Sequence, residues 1–281
     1  MAKLPPRIDF YHAADGRQLA LRVWSGVDPP RARVVFLHGI TSHGGWYDRS
    51  CQHLAAEGFE VHFLDRRGAG LNIDRPGDVE HWQTWVDDVA TYLKQLGTER
   101  PVLLCGISWG GKLAAAVARQ HPGLLRGLGL LSPGLYSPYG PGLIRRLLLA
   151  GPLPKRMQDR RAHIPLDRPE LFTESPQWQE FIARDPLSLD EITVRAARAD
   201  RGLTRFACPS APLLHLPLLM MLAGRDRIVD NRRCRGFFGR VASREKTLLE
   251  YGNAAHTLEF EPDPEPYFAD LTRWLAITAA E

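Results

Sequence analysis

The chain has 281 residues, 44% hydrophobic and 9% aromatic, which excludes a disordered or low-complexity protein. That length suffices for one large core or two small domains. Thirty-six Lys and Arg against 32 Asp and Glu leave a formal charge of +4, too weak a bias to imply nucleic acid as a partner.

In chain order, residues 7 to 25 read as a hairpin around the turn pair Asp15-Gly16. Arg33–Leu37 is a short apolar strand ending at His38-Gly39, and a helix follows over about Trp46 to Glu57. Phe59–Leu64 alternates like a strand and ends at Asp65. Trp82, Trp85, Val86, Val89, Leu93 and Leu96 recur at helical spacing up to Gly97. Pro101–Ile107 is a continuous apolar run of strand length, and the alanine-rich stretch Lys112–Gln120 favours helix. Further strands are expected at Leu125–Leu131, Leu216–Ala223 and Lys246–Tyr251, before a last helix from about Glu265 to Ala280. Strand alternating with helix argues for an α/β fold with a mostly parallel sheet covered on both faces, the hairpin adding antiparallel strands at one edge.

One stretch breaks this rhythm. Residues 134–212 are rich in proline, show short helical patterns and lack strand-like runs, so they read as a helical insertion dividing a core made of 1–133 and 213–281. The insertion carries twelve Lys and Arg against nine Asp and Glu, most of the chain's net charge. Within it, Gly142–Arg161 interleaves leucines with arginines. Such a segment either packs its apolar side on the sheet or lies against a lipid surface as a peripheral membrane contact. Cys51, Cys105, Cys208 and Cys234 follow no metal or disulfide spacing. The opening MAKLPPRIDF lacks the apolar run of a secretory leader, and no stretch of about 18 uncharged apolar residues exists, so the expectation is a soluble cytoplasmic protein.

Open α/β sheets place their sites at the carboxyl ends of the strands. Ser108 stands there in Gly106-Ile107-Ser108-Trp109-Gly110, between a strand and a helix. A nucleophile elbow demands this context, because its turn is too sharp for large flanking residues. Composition predicts such a string only about 0.08 times in this chain. A serine hydroxyl needs a base. Of ten histidines, His256 alone lies in the loop between the last strand and the last helix. The acid that would orient it is Asp226, directly after its strand, with Asp230 as the rival. The order Ser, Asp, His fits acyl transfer on this fold. Two backbone amides must receive the oxyanion, and those of Trp109 and Ile40 are the candidates. His38 reads as structural. No HExxH or clustered His/Asp pattern calls for a metal, and no cofactor is expected.

With these residues assembled, the chain resembles the α/β-hydrolase superfamily, and within it the monoacylglycerol lipase and lysophospholipase branch. His38-Gly39-Ile40-Thr-Ser-His43-Gly44-Gly45-Trp46-Tyr47 is similar to that branch's oxyanion loop, and Asp65-Arg-Arg-Gly68-Ala-Gly70 to its structural D-x-x-G-x-G turn. Gly224-Arg-Asp226-Arg-Ile-Val-Asp230 is similar to its acid segment, in which the first aspartate is catalytic, and Ala255-His256 to its histidine segment. The resemblance implies an α/β-hydrolase fold with a cap at 134–212. It also implies hydrolysis of a small carboxylic ester, of lipid type such as a monoacylglycerol or lysophospholipid, through an acyl-enzyme. Two departures stand out. The elbow has Ile107 and Trp109 where the branch commonly has histidine and methionine, which places a large ring beside the acyl pocket. Leu71-Asn72 stands where a serine is often found. An acyltransferase on the same triad, cleavage of a carbon–carbon bond and a non-catalytic ligand-binding protein of the same fold are the rival readings. Serine at the elbow disfavours dehalogenase chemistry, which needs an aspartate there.

Overall fold

The computed structural model describes residues 5–139 and 153–280. Strands β1 (Arg7–His12) and β2 (Gln18–Ser25) pair antiparallel across the turn in which Gly16 takes a φ of 78°. The strands β3 (Arg33–Leu37), β4 (Glu60–Leu64), β5 (Val102–Ile107) and β6 (Gly127–Leu131) follow, then a separate ribbon of β7 (Arg161–His163) and β8 (Glu191–Thr193), then β9 (Leu218–Ala223) and β10 (Lys246–Tyr251). The main sheet has the order β1-β2-β4-β3-β5-β6-β9-β10, parallel from β4 onward and antiparallel between β2 and β4. All positions of β5, β6 and β9 are buried, as expected where helices cover both faces of a parallel sheet. The α/β-hydrolase fold expected from the sequence is the fold observed.

Between the strands run α1 (Asp48–Ala56), α2 (Trp82–Leu96) and α3 (Trp109–Gln120). The residues between β6 and β9 carry α4 (Lys155–Gln158), α5 (Pro176–Arg184) and α6 (Val194–Ala207), and the carboxyl-terminal part carries α7 (Asn231–Arg240) and α8 (Glu265–Ala280). Three details differ from the sequence reading. Helix α3 begins at Trp109, ahead of the alanine-rich stretch, because Gly110 and Gly111 belong to its first turn and mask its start. The β6–β9 excursion contains the β7/β8 ribbon where no strand was expected; three residues are too few to display alternation. Helix α7 has no counterpart in the sequence reading, since Gly236, Gly239 and four arginines dilute its pattern. Burial of Cys234 and Phe237 and the Asp230 side chain at its amino end hold it. Of the basic stretch Gly142–Arg161, residues 142–152 lie outside the described residues, while Lys155 and Arg156 in α4 are exposed. Among the described residues no helix is long and apolar enough to cross a membrane.

The D-x-x-G-x-G turn works through its aspartate. Asp65, wholly buried, accepts from the amides of Gly44 (2.7 Å) and Leu71 (2.8 Å) and pairs with Arg22 at 2.6 Å. Asn72 ties the same turn to β2: its Oδ1 accepts from the Ala20 amide at 2.8 Å and its Nδ2 donates to the Asp65 carbonyl at 2.5 Å. The loop after β3 is thereby tied, through the Gly44 amide, to the turn after β4.

A second buried carboxylate, Glu259, fastens α1. It accepts from the amides of Arg49 (2.8 Å) and Ser50 (3.1 Å) and from the Ser50 hydroxyl, filling the open amino terminus of the helix. Burial lifts its carboxyl to about 7, opposed by those hydrogen bonds. A carboxyl raised above its unfolded value is stabilising while protonated, so its contribution is present below about 4.5 and is lost as pH rises through about 7. Glu259→Gln keeps an acceptor for the amides and removes the ionisation. We expect its melting temperature, relative to the parent chain, to climb across this interval. A constant offset at every pH would show that Glu259 does not titrate there.

Candidate active site

Ser108 sits between β5 and α3 with φ 53° and ψ −121°, outside the regions open to ordinary residues. Its amide donates to the Leu131 carbonyl at 2.9 Å, and its carbonyl accepts from the amides of Gly111 (2.9 Å) and Gly134 (2.6 Å). The flanking glycines are sterically required. A Cβ on Gly106 would lie 2.3 Å from the Gly110 carbonyl oxygen, and one on Gly110 would lie 2.2 Å from that of Leu37. The hydroxyl faces the loop after β3: a Cβ on Gly39 would stand 3.7 Å from Ser108 Oγ.

Asp226 and His256 come from the loops after β9 and β10, neighbours in the sheet. Asp226 Oδ2 and His256 Nδ1 are 2.7 Å apart, and both side chains are buried, at 0% and 3% exposure. The other carboxylate oxygen accepts from the amides of Ile228 (2.8 Å) and Val229 (2.9 Å), which fixes the carboxylate plane. Asp230, the rival acid, caps α7 instead, accepting from the Arg233 amide at 3.0 Å. The imidazole is also held by the β6–β9 excursion: Phe172 meets it edge to face at 5.9 Å, and the Phe172 carbonyl accepts from the Thr257 amide at 2.9 Å. Ser108 and His256 make no hydrogen bond to each other in this structure, and such pairs are often loose without substrate.

The two candidate oxyanion amides come from the start of α3 and from the loop after β3. That of Trp109 is the first of α3, free by position, and that of Ile40 follows His38-Gly39; neither donates to a protein acceptor among the described hydrogen bonds. His38 is buried and neutral: burial, then the Arg66 charge, hold its pKa well below the ordinary histidine value. Its Nδ1 meets the Gly39 carbonyl at 2.7 Å, while Nε2 accepts from the Arg66 amide at 3.0 Å.

Four residues important to this geometry escaped the sequence reading. Asp200, on α6, accepts from Trp109 Nε1 at 2.6 Å and from Lys112 Nζ, tying the excursion to the start of α3. The Trp109 ring is therefore turned onto Trp85, edge to face at 4.9 Å, and onto the Arg66 guanidinium, 4.8 Å from its centroid. Asp185 accepts from Trp46 Nε1 at 2.5 Å and lies 3.0 Å from His43 Nε2, joining the excursion to the loop after β3. Phe172 and Arg66 complete the set. No local pattern marks them, because the tertiary partners to which they hydrogen-bond lie 26 to 142 residues away; the one available signal was polar residues in the short helical patterns of the insertion. Among the described residues no cluster of three His, Cys, Asp or Glu side chains is arranged to hold a metal ion.

A family model described as serine aminopeptidase, S33, matches residues 28–263. A monoacylglycerol lipase of Mycolicibacterium smegmatis is 26% identical over 92% of this chain and 93% of its own. Phospholipase YtpA of Bacillus subtilis is 28% identical over 86% and 93%. In fold, the crystal structure of a Paleococcus ferrophilus monoacylglycerol lipase superposes with a TM-score of 0.83 at 23% identity, covering 96% of this chain and 99% of that one.

The geometry separates the two acids. Asp226→Asn should lower kcat on the order of 10⁴-fold through loss of the imidazole's orientation, with melting little changed. Asp230→Ala should cost about 1 kcal/mol of stability through the lost helix cap and leave kcat within a few-fold. Ester kinetics and thermal melts on both variants check this; the reverse pattern would exchange the roles.

Proposed function

The chain belongs to the serine aminopeptidase S33 family of α/β-hydrolases, and from that membership and its site we propose that it is a carboxylic ester hydrolase acting on lipid esters through an acyl-enzyme. The observation that carries this reading is the buried 2.7 Å contact between Asp226 and His256, in the same tier of strand ends as the elbow serine.

In the proposed reaction, Ser108 Oγ attacks the ester carbonyl while His256 Nε2 takes its proton. Asp226 holds Nδ1–H and stabilises the imidazolium. The amides of Ile40 and Trp109 receive the oxyanion. Collapse of the tetrahedral intermediate expels the alcohol, protonated by His256, and water, activated by the same imidazole, releases the acid and restores the serine. The described residues between β6 and β9 act as the cap over this site. Kinship with lipases and a phospholipase supports a monoacylglycerol or lysophospholipid as the substrate class. The exposed basic residues at the start of α4 suit the approach of an anionic lipid surface.

The test is turnover of a monoacylglycerol, a lysophosphatidylcholine and p-nitrophenyl esters of rising chain length, with an aminoacyl nitroanilide as the amide control. We expect ester cleavage, covalent labelling by a fluorophosphonate probe, and loss of both in Ser108→Ala, by 10⁴-fold or more in kcat on the order expected for a lost nucleophile. Labelling or turnover surviving in Ser108→Ala, or cleavage confined to the nitroanilide, would overturn the assignment. Saturable binding without turnover of any ester would favour a ligand-binding protein.

A further inference from the structure

Arg66 directly follows the structural aspartate Asp65, yet its guanidinium pairs with no carboxylate among the described residues. A half-buried cation without a counter-ion in contact is costly and calls for other partners. Nη1 donates to the Gly39 carbonyl at 2.7 Å and Nη2 to the Ile40 carbonyl, while the guanidinium plane stands 4.8 Å from the centroid of the Trp109 ring. Burial draws its pKa down to about 10, opposed by the charges of Asp200 and Asp65, so it stays protonated at neutral pH.

These contacts fall on one particular peptide unit. The Gly39 carbonyl and the Ile40 amide belong to the same plane, and a trans peptide points its oxygen and its hydrogen in opposite directions. Anchoring the oxygen therefore aims the hydrogen. Two donors grip that oxygen, Arg66 Nη1 and His38 Nδ1–H, each at 2.7 Å. Donation into a carbonyl also polarises the unit and strengthens its N–H as a donor. The same guanidinium seats the ring of Trp109, whose amide is the other candidate oxyanion donor, and the opposite edge of that ring is held by Asp200.

We propose that Arg66 is a positioning residue for the oxyanion hole: it orients and polarises the Ile40 amide through the Gly39 carbonyl and seats Trp109 beside it. The inference rests on the hydrolase reading of Ser108. Because the hole engages its ligand fully only when the carbonyl oxygen carries negative charge, Arg66 acts on the transition state more than on substrate binding. An arginine that merely braced two loops would show itself in stability, and equally for every ligand.

The experiment compares Arg66→Ala and Arg66→Lys with the parent chain on a soluble p-nitrophenyl ester. A trifluoromethyl ketone of matching chain length serves as the transition-state mimic, and the corresponding unreactive ether as the ground-state mimic. For Arg66→Ala we expect kcat to fall on the order of 10- to 100-fold with KM within about threefold, since a donor is misaligned and not deleted. Affinity for the ketone should fall by the same factor, and affinity for the ether should not change. Guanidinium ion in millimolar amounts should restore part of the lost kcat. Arg66→Lys, which keeps the charge but cannot bridge both carbonyls, should lie between. Should the alanine variant fail to fold, the lysine variant carries the same comparison of ketone and ether. Loss confined to KM or to melting temperature, or ketone and ether weakened alike, would overturn the proposal. An Arg66 variant with full kcat beside an inactive Ser108→Ala removes this inference alone; an active Ser108→Ala removes the hydrolase reading beneath it.

Discussion

Everything at this site follows from the backbone of one residue. Ser108 is held at a positive φ that costs about 1–3 kcal/mol in a non-glycine residue. Three hydrogen bonds on its own peptide groups, to Leu131, Gly111 and Gly134, contribute about 1 kcal/mol each and offset that strain. The turn is possible only where β5 and α3 nearly touch, so Gly106 and Gly110 have no space for a side chain. Once the turn exists, the first amide of α3 is directed away from the helix beside the serine, and the loop after β3 is brought against the hydroxyl. Strand order supplies the rest, since β9 and β10 end in the same tier and present Asp226 and His256 together.

The excursion between β6 and β9 is anchored to these same elements by a small number of polar ties. Asp185 reaches His43 and Trp46, Asp200 reaches Trp109 and Lys112, the Leu189 amide donates to the Thr41 carbonyl at 2.9 Å, and Arg195 pairs with Asp78 at 2.6 Å. Aromatic contacts fill the space between them, with Trp178 stacked on Phe260 at 4.3 Å and Phe172 against both Trp46 and His256. Asp185 and Asp78 are largely screened from water, so their ties are stronger than a surface ion pair, whereas Asp200 is partly exposed. The excursion thus reaches the helix after Ser108, the His256 ring and the loop after β3 through different side chains.

The strands and most helices were legible in the sequence because each obeys a local rule. Apolar runs such as Val102–Ile107 and Leu218–Ala223 mark strands covered on both faces, and the glycines around Ser108 mark a turn that nothing else can make. The meeting of Asp226 and His256 was legible because topology, not packing, decides which loops meet. The sequence favours Asp226 over Asp230 by its place directly after the strand, but it does not show what Asp230 does instead. Both follow the same strand within four residues, and only the cap bond from Asp230 to the Arg233 amide divides their work. Helix α7 was obscured by its own glycines and arginines, and the β7/β8 ribbon by its brevity. Asp200, Asp185 and Arg66 were illegible for a different reason. A charged residue in a helix or turn looks the same in sequence whether it faces water or a tryptophan.

That ambiguity bears most on Trp109. As a letter in the elbow it suggests a bulky obstruction of the acyl path. In the fold, the ring is held by three contacts, with Asp200 on its indole nitrogen, Trp85 edge to face with it and Arg66 over its face. A large residue here is accommodated by a polar clamp that smaller residues would not need, and both halves of the clamp are charged. Lys112 balances Asp200 directly, whereas Arg66 is balanced by carbonyl dipoles of the oxyanion loop. The departure at the elbow and the unpaired arginine after Asp65 are therefore one feature. The tryptophan offers a π-face to a cation that would otherwise be poorly solvated, and the cation in turn joins the nucleophile's helix to the loop across from it. Such a pairing lets a bulky side chain enter a crowded elbow without engaging the Ile40 or Trp109 amide, neither of which has an acceptor among the described hydrogen bonds.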